Sequence, residues 1–367
     1  MKKLRIIADQ NMPLIKDYFC RLGEVELMAG RAIDRQSIEG ADILLVRSVT
    51  RVDKNLLEGS SITFVGSATA GTDHIDLDYL KNNDIQFSHA PGCNAEAVVQ
   101  YALSVFCCLK PEWQKSRVGI VGCGNVGGRL YQKLRDLGVQ CRVYDPFLNQ
   151  TQIADLCLFE DILDCDIISL HTPLTQGGEF PTHHMFNPQV LQQVKASTLL
   201  INAGRGAVID NRALLARLKQ ADGLQVALDV WELEPEIDTA LLKLVSIATP
   251  HIAGYSTEGK IRGTSMLYDA FHSYYLAGKI SQSNNVQENR KSPLNTAGKG
   301  LNQLLLACYN VKADDQRMRK ALKEYPVSQG FDQLRKTYPQ RREYSYFKVS
   351  KGIPLSPKLK TLGFSGL

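Results

Sequence analysis

The chain has 367 residues, 44% of them hydrophobic and 22% charged, a length that suggests two or three domains and a composition of soluble globular type. No apolar run approaches the ~20 residues that cross a bilayer, which excludes a helical membrane protein as the expectation. The formal charge of +5 is unevenly spread: residues 286–367 hold 16 Lys/Arg against 6 Asp/Glu, leaving the rest net negative. A tail this basic suits a phosphorylated ligand or another subunit. No recognised nucleic-acid module or aromatic-basic pattern accompanies the charge, so nucleic acid is not an expected partner.

From the N-terminus, short apolar runs at 3–8, 41–47, 62–66 and 85–88 read as strands, with helix-like segments between the earlier ones. That alternation predicts βαβ units and a parallel sheet. The N-terminal apolar stretch is too short for a secretory signal. Residues 95–109 read as a connecting helix. A second strand series follows at 117–121, 140–144, 166–171, 198–202, 225–229 and 245–248, the number that a doubly wound dinucleotide domain requires. Residues 256–276 read as a second crossing helix and the polar stretch from about 278 as a linker. An amphipathic stretch near 301–311 lies in the last unit. Nine cysteines, an odd number without a C-x-x-C pair, predict reduced and mostly buried thiols in a cytoplasmic setting, with no disulfide frame and no metal site.

Strand 117–121 runs into Gly122-Cys123-Gly124-Asn125-Val126-Gly127, then into a helix whose apolar positions Val126, Leu130, Leu134 and Leu137 share one face. The first glycine permits the turn, the second admits a pyrophosphate and the third allows close helix–strand packing. The N–H groups that open the helix attract the anion. Asp145 stands 18 residues after Gly127, near the spacing of a ribose-binding acid, and Pro146 follows where an NADP enzyme would place an arginine. This predicts NAD, although an Asp-Pro pair also starts plain turns.

Three further strand ends carry Arg205, Glu234 and His251, and in open α/β sheets ligands bind beyond such ends. A 2-hydroxy acid needs a planar cationic fork for its carboxylate, a base near neutral pH for its hydroxyl and an acid to orient that base. Arg205, His251 and Glu234 fill these roles in that order. Taken singly, each also fits a surface turn, a loop or a satisfied core histidine.

The motifs GCGNVG, HTPLT, NAGRG, DVWELEP and PHIAG resemble those of the D-isomer-specific 2-hydroxyacid dehydrogenases, and the resemblance covers roughly residues 1–285. The resemblance implies that Arg205, Glu234 and His251 are catalytic. It implies that Gly122, Gly124, Asn125, Val126, Gly127, Asp145, Thr172, Ala203, Gly204, Arg205, Asp229 and Gly254 bind NAD. The implied fold is a Rossmann-type doubly wound NAD domain (96–255), with a flavodoxin-like substrate domain split between 1–95 and 256–280 that closes over the cofactor. A small α+β C-terminal domain (286–367) would mediate a homodimer.

Segments ADQNMP (8–13), VRSVT (46–50), SATAGTDH (67–74), APGCNA (90–95), HIAGY (251–255) and FDQLRK (331–336) are similar to one branch of that family. Its members oxidise C2 of 4-phospho-D-erythronate to 2-oxo-3-hydroxy-4-phosphobutanoate in vitamin B6 biosynthesis. This implies that Ser48, Thr69 and Tyr255 bind the phosphorylated sugar acid. Arg47 and Arg51 could add charge-assisted bonds to the phosphate, and Arg341 and Arg342 are candidates to reach a phosphate across a dimer interface. Cys93 is expected to be a small loop residue, not a nucleophile. The competing readings are another family member, such as a phosphoglycerate dehydrogenase, or an NAD(H)-sensing binding protein of corepressor type.

Overall fold

Val, Ile and Leu dominate the central strands of the two larger sheets on both faces, the pattern of parallel sheets covered by helices on either side. The computed structural model describes residues 3–275, 291–295, 297–349 and 356–366. The chain divides into two units, Met1–Asn94 with Ser256–Asn289, and Ala95–Tyr255 with Arg290–Leu367.

In the first unit, β1 (Leu4–Asp9), β2 (Gly23–Met28), β3 (Ile43–Val46), β4 (Phe64–Ser67) and β5 (Gln86–His89) form a parallel sheet in the order β2-β1-β3-β4-β5. That is the flavodoxin-like winding. Successive residues face opposite sides: Ile7, Leu44 and Val65 enter one apolar layer, and Ile6, Ile43, Leu45 and Phe64 the other. The expected crossing helix runs over Thr257–Tyr275 and buries Leu267 and Phe271 in the second layer. It approaches closely because Gly66 has no side chain; a Cβ there would lie 2.8 Å from Leu45 and 3.2 Å from Leu267. Strand β2 was not expected. Among the described residues it pairs with β1 alone, at the sheet edge, and Glu24 and Glu26 interrupt its apolar residues, so no apolar run marks it.

In the second unit, β6 (Arg117–Val121), β7 (Gln140–Tyr144), β8 (Ile167–Leu170), β9 (Leu199–Asn202), β10 (Gln225–Leu228) and β11 (Ile247–Ala248) are parallel, in the order β11-β10-β9-β8-β6-β7. An isolated parallel bridge from Val143 to Leu156 extends the sheet beyond β7. Counting that bridge as the third strand gives the usual dinucleotide order 3-2-1-4-5-6, with β11 added at the far edge. The winding reverses between β6 and β8, so the crevice for a ligand opens at the carboxyl ends of those strands.

The C-terminal residues pack within this same unit. Strands β12 (Ser292–Leu294), β13 (Phe347–Val349) and β14 (Ser365–Gly366) make a small parallel sheet. The amphipathic stretch near 301–311 resolves into two helices, Leu301–Cys308 and Val311–Glu324, because Asn310 caps the second by accepting from Lys312 N. Met318 and Phe331 are fully buried in one apolar cluster with Leu228, Trp231 and Ala248. Arg319 donates to the carbonyls of Leu242 and Val245 at 2.7 and 2.8 Å. Part of the basic surplus is therefore spent inside the fold.

Arg341 corrects an expectation. It is 6% exposed, and its guanidinium donates to Ala97 O, to Ala253 O at 3.1 Å and to Gln100 Oε1 at 3.0 Å. It ties the helix Ala95–Leu109 to the turn after His251, so it is not a surface group able to reach a phosphate. Arg342 lies over the Tyr346 ring. The expected linker near 278–285 and the start of the C-terminal domain at 286 lie outside the described residues. All nine cysteines are free thiols, four of them buried. Among the described residues no helix is long and apolar enough to cross a membrane.

Candidate active site

Strand β6 delivers Gly122 into a left-handed turn, φ 84°, that only glycine adopts without strain. A Cβ on Gly122 would meet Thr172 N at 2.9 Å, and one on Gly127 would lie 1.9 Å from Gly122 O. The helix Asn125–Asp136 is thereby pressed onto the loop, as the third glycine was expected to allow. Gly124 faces open space within 4 Å, and no side chain caps the helix it begins, so the first-turn N–H groups remain for an anion.

Asp145 follows β7 and is held against this loop, its Oδ2 accepting from Cys123 N at 2.8 Å and its Oδ1 from Phe147 N at 3.1 Å. The turn reading and the ribose reading of Asp145 are thus compatible: the turn fixes the carboxylate beside the glycines. Thr172 Oγ1 is buried without a hydrogen-bond partner among the described residues. An open glycine cradle, an uncapped helix start, a positioned acid and an orphaned hydroxyl together fit a dinucleotide. His171, next to Thr172, bonds Ser169 Oγ at 2.9 Å, and burial lowers its pKa to about 4, so the ring is neutral.

Gly204 brings the β9 loop close to Thr172 O, 3.1 Å from a Cβ built on it. Gly206 lies tighter still: a Cβ there would sit 2.0 Å from the Trp231 carbonyl carbon. The NAGRG loop, which includes Ala203, therefore rests on the backbone that carries Glu234. Arg205 donates to Gly204 O at 3.0 Å.

Asp229 is 1% exposed and builds the turn that follows β11. Its Oδ1 accepts from Thr249 Oγ1 at 2.7 Å and Ile252 N at 2.8 Å, its Oδ2 from Ala253 N at 2.8 Å, and its carbonyl from His251 N at 2.7 Å. Gly254 ends that turn. His251 itself takes a left-handed conformation, φ 55°, uncommon for a residue with a side chain. Its Nδ1 is hydrogen-bonded to Glu234 Oε1, while Glu234 Oε2 accepts from Trp231 N at 3.2 Å. Burial pushes the Glu234 carboxyl up, but the neighbouring charges of His251 and Arg335 outweigh it and hold the pKa below the ordinary value. With Nδ1 engaged, Nε2 is the ring nitrogen left to exchange a proton with a ligand.

A second histidine–glutamate pair was not foreseen. His184 Nε2 meets Glu232 Oε1 at 2.5 Å, and Glu232 Oε2 accepts from Asn211 N at 3.0 Å. With His183, these are the one group of potential metal-ligand atoms among the described residues, within 4.8 Å of one another. Only the spacing of two histidines and an acid across 48 residues could have signalled it, and that spacing carries no periodicity.

In the first unit, Arg47 and Ser48 follow β3 and Thr69 follows β4. Thr69 Oγ1 bonds Ser67 Oγ at 2.7 Å and Gly71 O at 2.8 Å, and Ser67 Oγ meets His74 Nε2 at 2.8 Å. Burial and the nearby Arg47 lower the pKa of Lys260, a residue the sequence reading passed over. Arg51 pairs with Asp53 at 3.0 Å on the surface. Cys93 is buried, and its carbonyl accepts from Arg262 Nε at 2.8 Å. In the second unit, Tyr255 stands edge-on to Tyr338, with ring centroids 5.7 Å apart.

Comparison with known proteins agrees with this geometry. The family described as D-isomer specific 2-hydroxyacid dehydrogenase, NAD binding domain, matches residues 105–253. A second, described as a domain of unknown function, matches residues 281–363. The erythronate-4-phosphate dehydrogenases of Teredinibacter turnerae and Saccharophagus degradans are each 45% identical to this chain, over 99% and 98% of it and 99% of each relative. A D-lactate dehydrogenase structure from Treponema pallidum superposes with a TM-score of 0.62 at 26% identity, covering 76% of this chain and 98% of its own. NAD is accordingly the cofactor. The chain belongs to the erythronate-4-phosphate dehydrogenases, a branch of the D-isomer-specific 2-hydroxyacid dehydrogenases.

Proposed function

We propose that this protein oxidises 4-phospho-D-erythronate at C2, giving 2-oxo-3-hydroxy-4-phosphobutanoate for the synthesis of pyridoxal 5′-phosphate. The observation that carries the reading is the bond between His251 Nδ1 and Glu234, formed at the carboxyl ends of a dinucleotide-binding sheet. Gly122, Gly124, Asn125, Val126, Gly127, Asp145, Thr172, Ala203, Gly204, Asp229 and Gly254 would hold NAD. Its nicotinamide ring supplies the hydride acceptor. His251 Nε2 takes the proton of the C2 hydroxyl, and Glu234 keeps Nδ1 protonated and supports the imidazolium that forms. Arg205 binds the substrate carboxylate as a bidentate fork and polarises the C2–O bond. The C2–H bond breaks with its electron pair leaving as hydride, the O–H proton goes to His251, and a carbonyl forms.

Ser48, Thr69, Tyr255 and Arg47 are the groups proposed to bind the substrate. Lys260 supports this for the phosphate, since two neighbouring cations, Arg47 and Lys260, gain from an anion that offsets their repulsion. The three-domain division, with 286–367 as the dimerisation domain of a cytoplasmic homodimer, rests on family resemblance and is tested by sedimentation of the full chain and of a truncation at 285.

The substrate is tested by following nicotinamide absorbance with 4-phospho-D-erythronate and 3-phosphoglycerate side by side. Preference for the first by at least tenfold in kcat/KM is expected. Preference for 3-phosphoglycerate would place the chain with another branch, and NADH binding without any turnover would make it a sensor.

A further inference from the structure

Ser67 ends β4, fully buried, with Val46 and His89 as its neighbours across the sheet. Its hydroxyl is the middle of a chain of side chains. His74 Nε2 lies 2.8 Å from it on one side and Thr69 Oγ1 2.7 Å on the other, and Thr69 Oγ1 lies 2.8 Å from Gly71 O. Each of these three contacts needs one proton between its heavy atoms. A carbonyl only accepts, so the Thr69 proton goes to Gly71 O. The proton between Thr69 and Ser67 then comes from Ser67, and the one between Ser67 and His74 comes from Nε2 of the ring. The chain of donation runs one way, from His74 through Ser67 and Thr69 to Gly71. Backbone bonds hold both ends: His74 O accepts from Val52 N at 2.8 Å, and Thr69 O accepts from Ala90 N at 3.0 Å.

A hydroxyl has one proton and two lone pairs. Thr69 spends its proton on Gly71 and one lone pair on Ser67, which leaves a single lone pair on this half-buried residue. A ligand that meets it must bring a donor. The carboxylate and the phosphate dianion of a sugar acid offer only acceptors, so neither suits Thr69. Of the two hydroxyls of 4-phospho-D-erythronate, the one on C2 gives its proton to His251 in the mechanism above, and the one on C3 remains. We propose that Thr69 determines specificity by accepting a hydrogen bond from the C3 hydroxyl, and that Ser67 and His74 are positioning residues that fix the Thr69 hydroxyl as an acceptor. The inference rests on the reading of this chain as a 4-phospho-D-erythronate dehydrogenase with Thr69 in its substrate site. It adds a reason for the choice of substrate, since 3-phosphoglycerate carries its phosphate on C3 and has no hydroxyl there.

The test compares 4-phospho-D-erythronate with its 3-deoxy analogue, 2-hydroxy-4-phosphobutanoate of the same C2 configuration, on the full-length protein. The wild type should prefer the hydroxylated compound by at least about tenfold in kcat/KM. Thr69→Val should bring the two to within about twofold, by loss on the hydroxylated compound alone. Equal losses on both compounds, or no preference in the wild type, would overturn the proposal. Should Thr69→Val fail to fold, Thr69→Ala is measured against Thr69→Ser, which keeps the oxygen and should keep the preference. His74→Leu should lower the preference by roughly threefold or more, and His74→Gln, which keeps a donor near the place of Nε2, should restore it. An unchanged preference in folded His74→Leu would overturn the positioning role. The nitrogen NMR spectrum of the His74 ring, assigned with His74→Gln and recorded without substrate, should show Nε2 protonated; a bare Nε2 would overturn the direction of the chain. If the wild type oxidises neither compound, the functional reading fails and the C3 assignment with it, whereas the ring spectrum still decides the direction of the chain.

Discussion

The two histidine–glutamate pairs of the second unit are built alike. His251 and His184 both take left-handed backbone conformations, at φ 55° and 50°, and each bonds a glutamate from the same seven-residue segment after β10. In each glutamate the second oxygen accepts a backbone N–H, Trp231 for Glu234 and Asn211 for Glu232. Their surroundings differ. His251 sits in the turn after β11, held by the buried Asp229, with Arg335 acting on its partner acid. His184 stacks on His183 with ring centroids 4.0 Å apart, and its other nitrogen lies 4.0 Å from Asp210. A shared motif therefore does not assign chemistry. In this account only the pair at the strand ends beside Arg205 does proton transfer, and the His184 pair fastens a loop.

Substituting each glutamate by glutamine breaks or sharpens that contrast most strongly. Glu234→Gln should lower kcat by roughly 10²–10⁴-fold, since the imidazole loses the acid that fixes its tautomer. Glu232→Gln should leave kcat within about threefold while costing ~1–3 kcal/mol of stability for unmet buried partners. Equal kinetic losses, measured by initial rates at saturating substrate, would erase the distinction.

Gly206→Ala should damage both pairs at once, because its Cβ would drive into the Trp231 carbonyl beside Glu232 and three residues before Glu234 in the shared segment. Expected are a loss of ~3 kcal/mol or more in denaturant unfolding and a drop in kcat in the protein that still folds. Gly124→Ala, with nothing within 4 Å, should fold normally and weaken NAD binding alone.

A pH effect separates a third histidine from both pairs. The folded-state pKa of His171, about 4, lies below its ordinary 6.5. The unfolded chain therefore takes up a proton first as pH falls, and stability is lost between about pH 6.5 and 4, by up to ~3 kcal/mol. Below that range both states are protonated and the loss stops. Glu234, with a lowered pKa, adds stability above its unfolded value of about 4.5 and loses it as pH falls through the folded value. Unfolding by urea from pH 7 to 4 should show the first slope in the wild type and not in His171→Gln. The smallest effect is expected of His184→Ala: about 1 kcal/mol of stability and little change in kcat/KM.

Local signals were legible in the sequence wherever one segment determined its own conformation. The strand at 117–121, the glycine turn and the helix Ala95–Leu109 are found where the residues placed them. So is the set of strand ends that carries Arg205, Glu234 and His251. Features settled by partners distant in sequence were not legible. Strand β2 is an edge strand without an apolar run, and Leu156 joins the sheet by one bridge. Arg341 reads as a candidate to reach a phosphate because its burial depends on Ala253 and Ala97, 88 and 244 residues away. Basic residues near a chain's end are ordinarily solvated, and only the packing of Met318 and Phe331 on the dinucleotide sheet shows otherwise.

The most direct test of the account measures NAD affinity and turnover of 4-phospho-D-erythronate in the same samples of wild type and His251→Ala. The account predicts unchanged NAD binding with kcat reduced by roughly 10²–10⁴-fold in the variant. Turnover in His251→Ala close to that of the wild type, with NAD still bound, would contradict it.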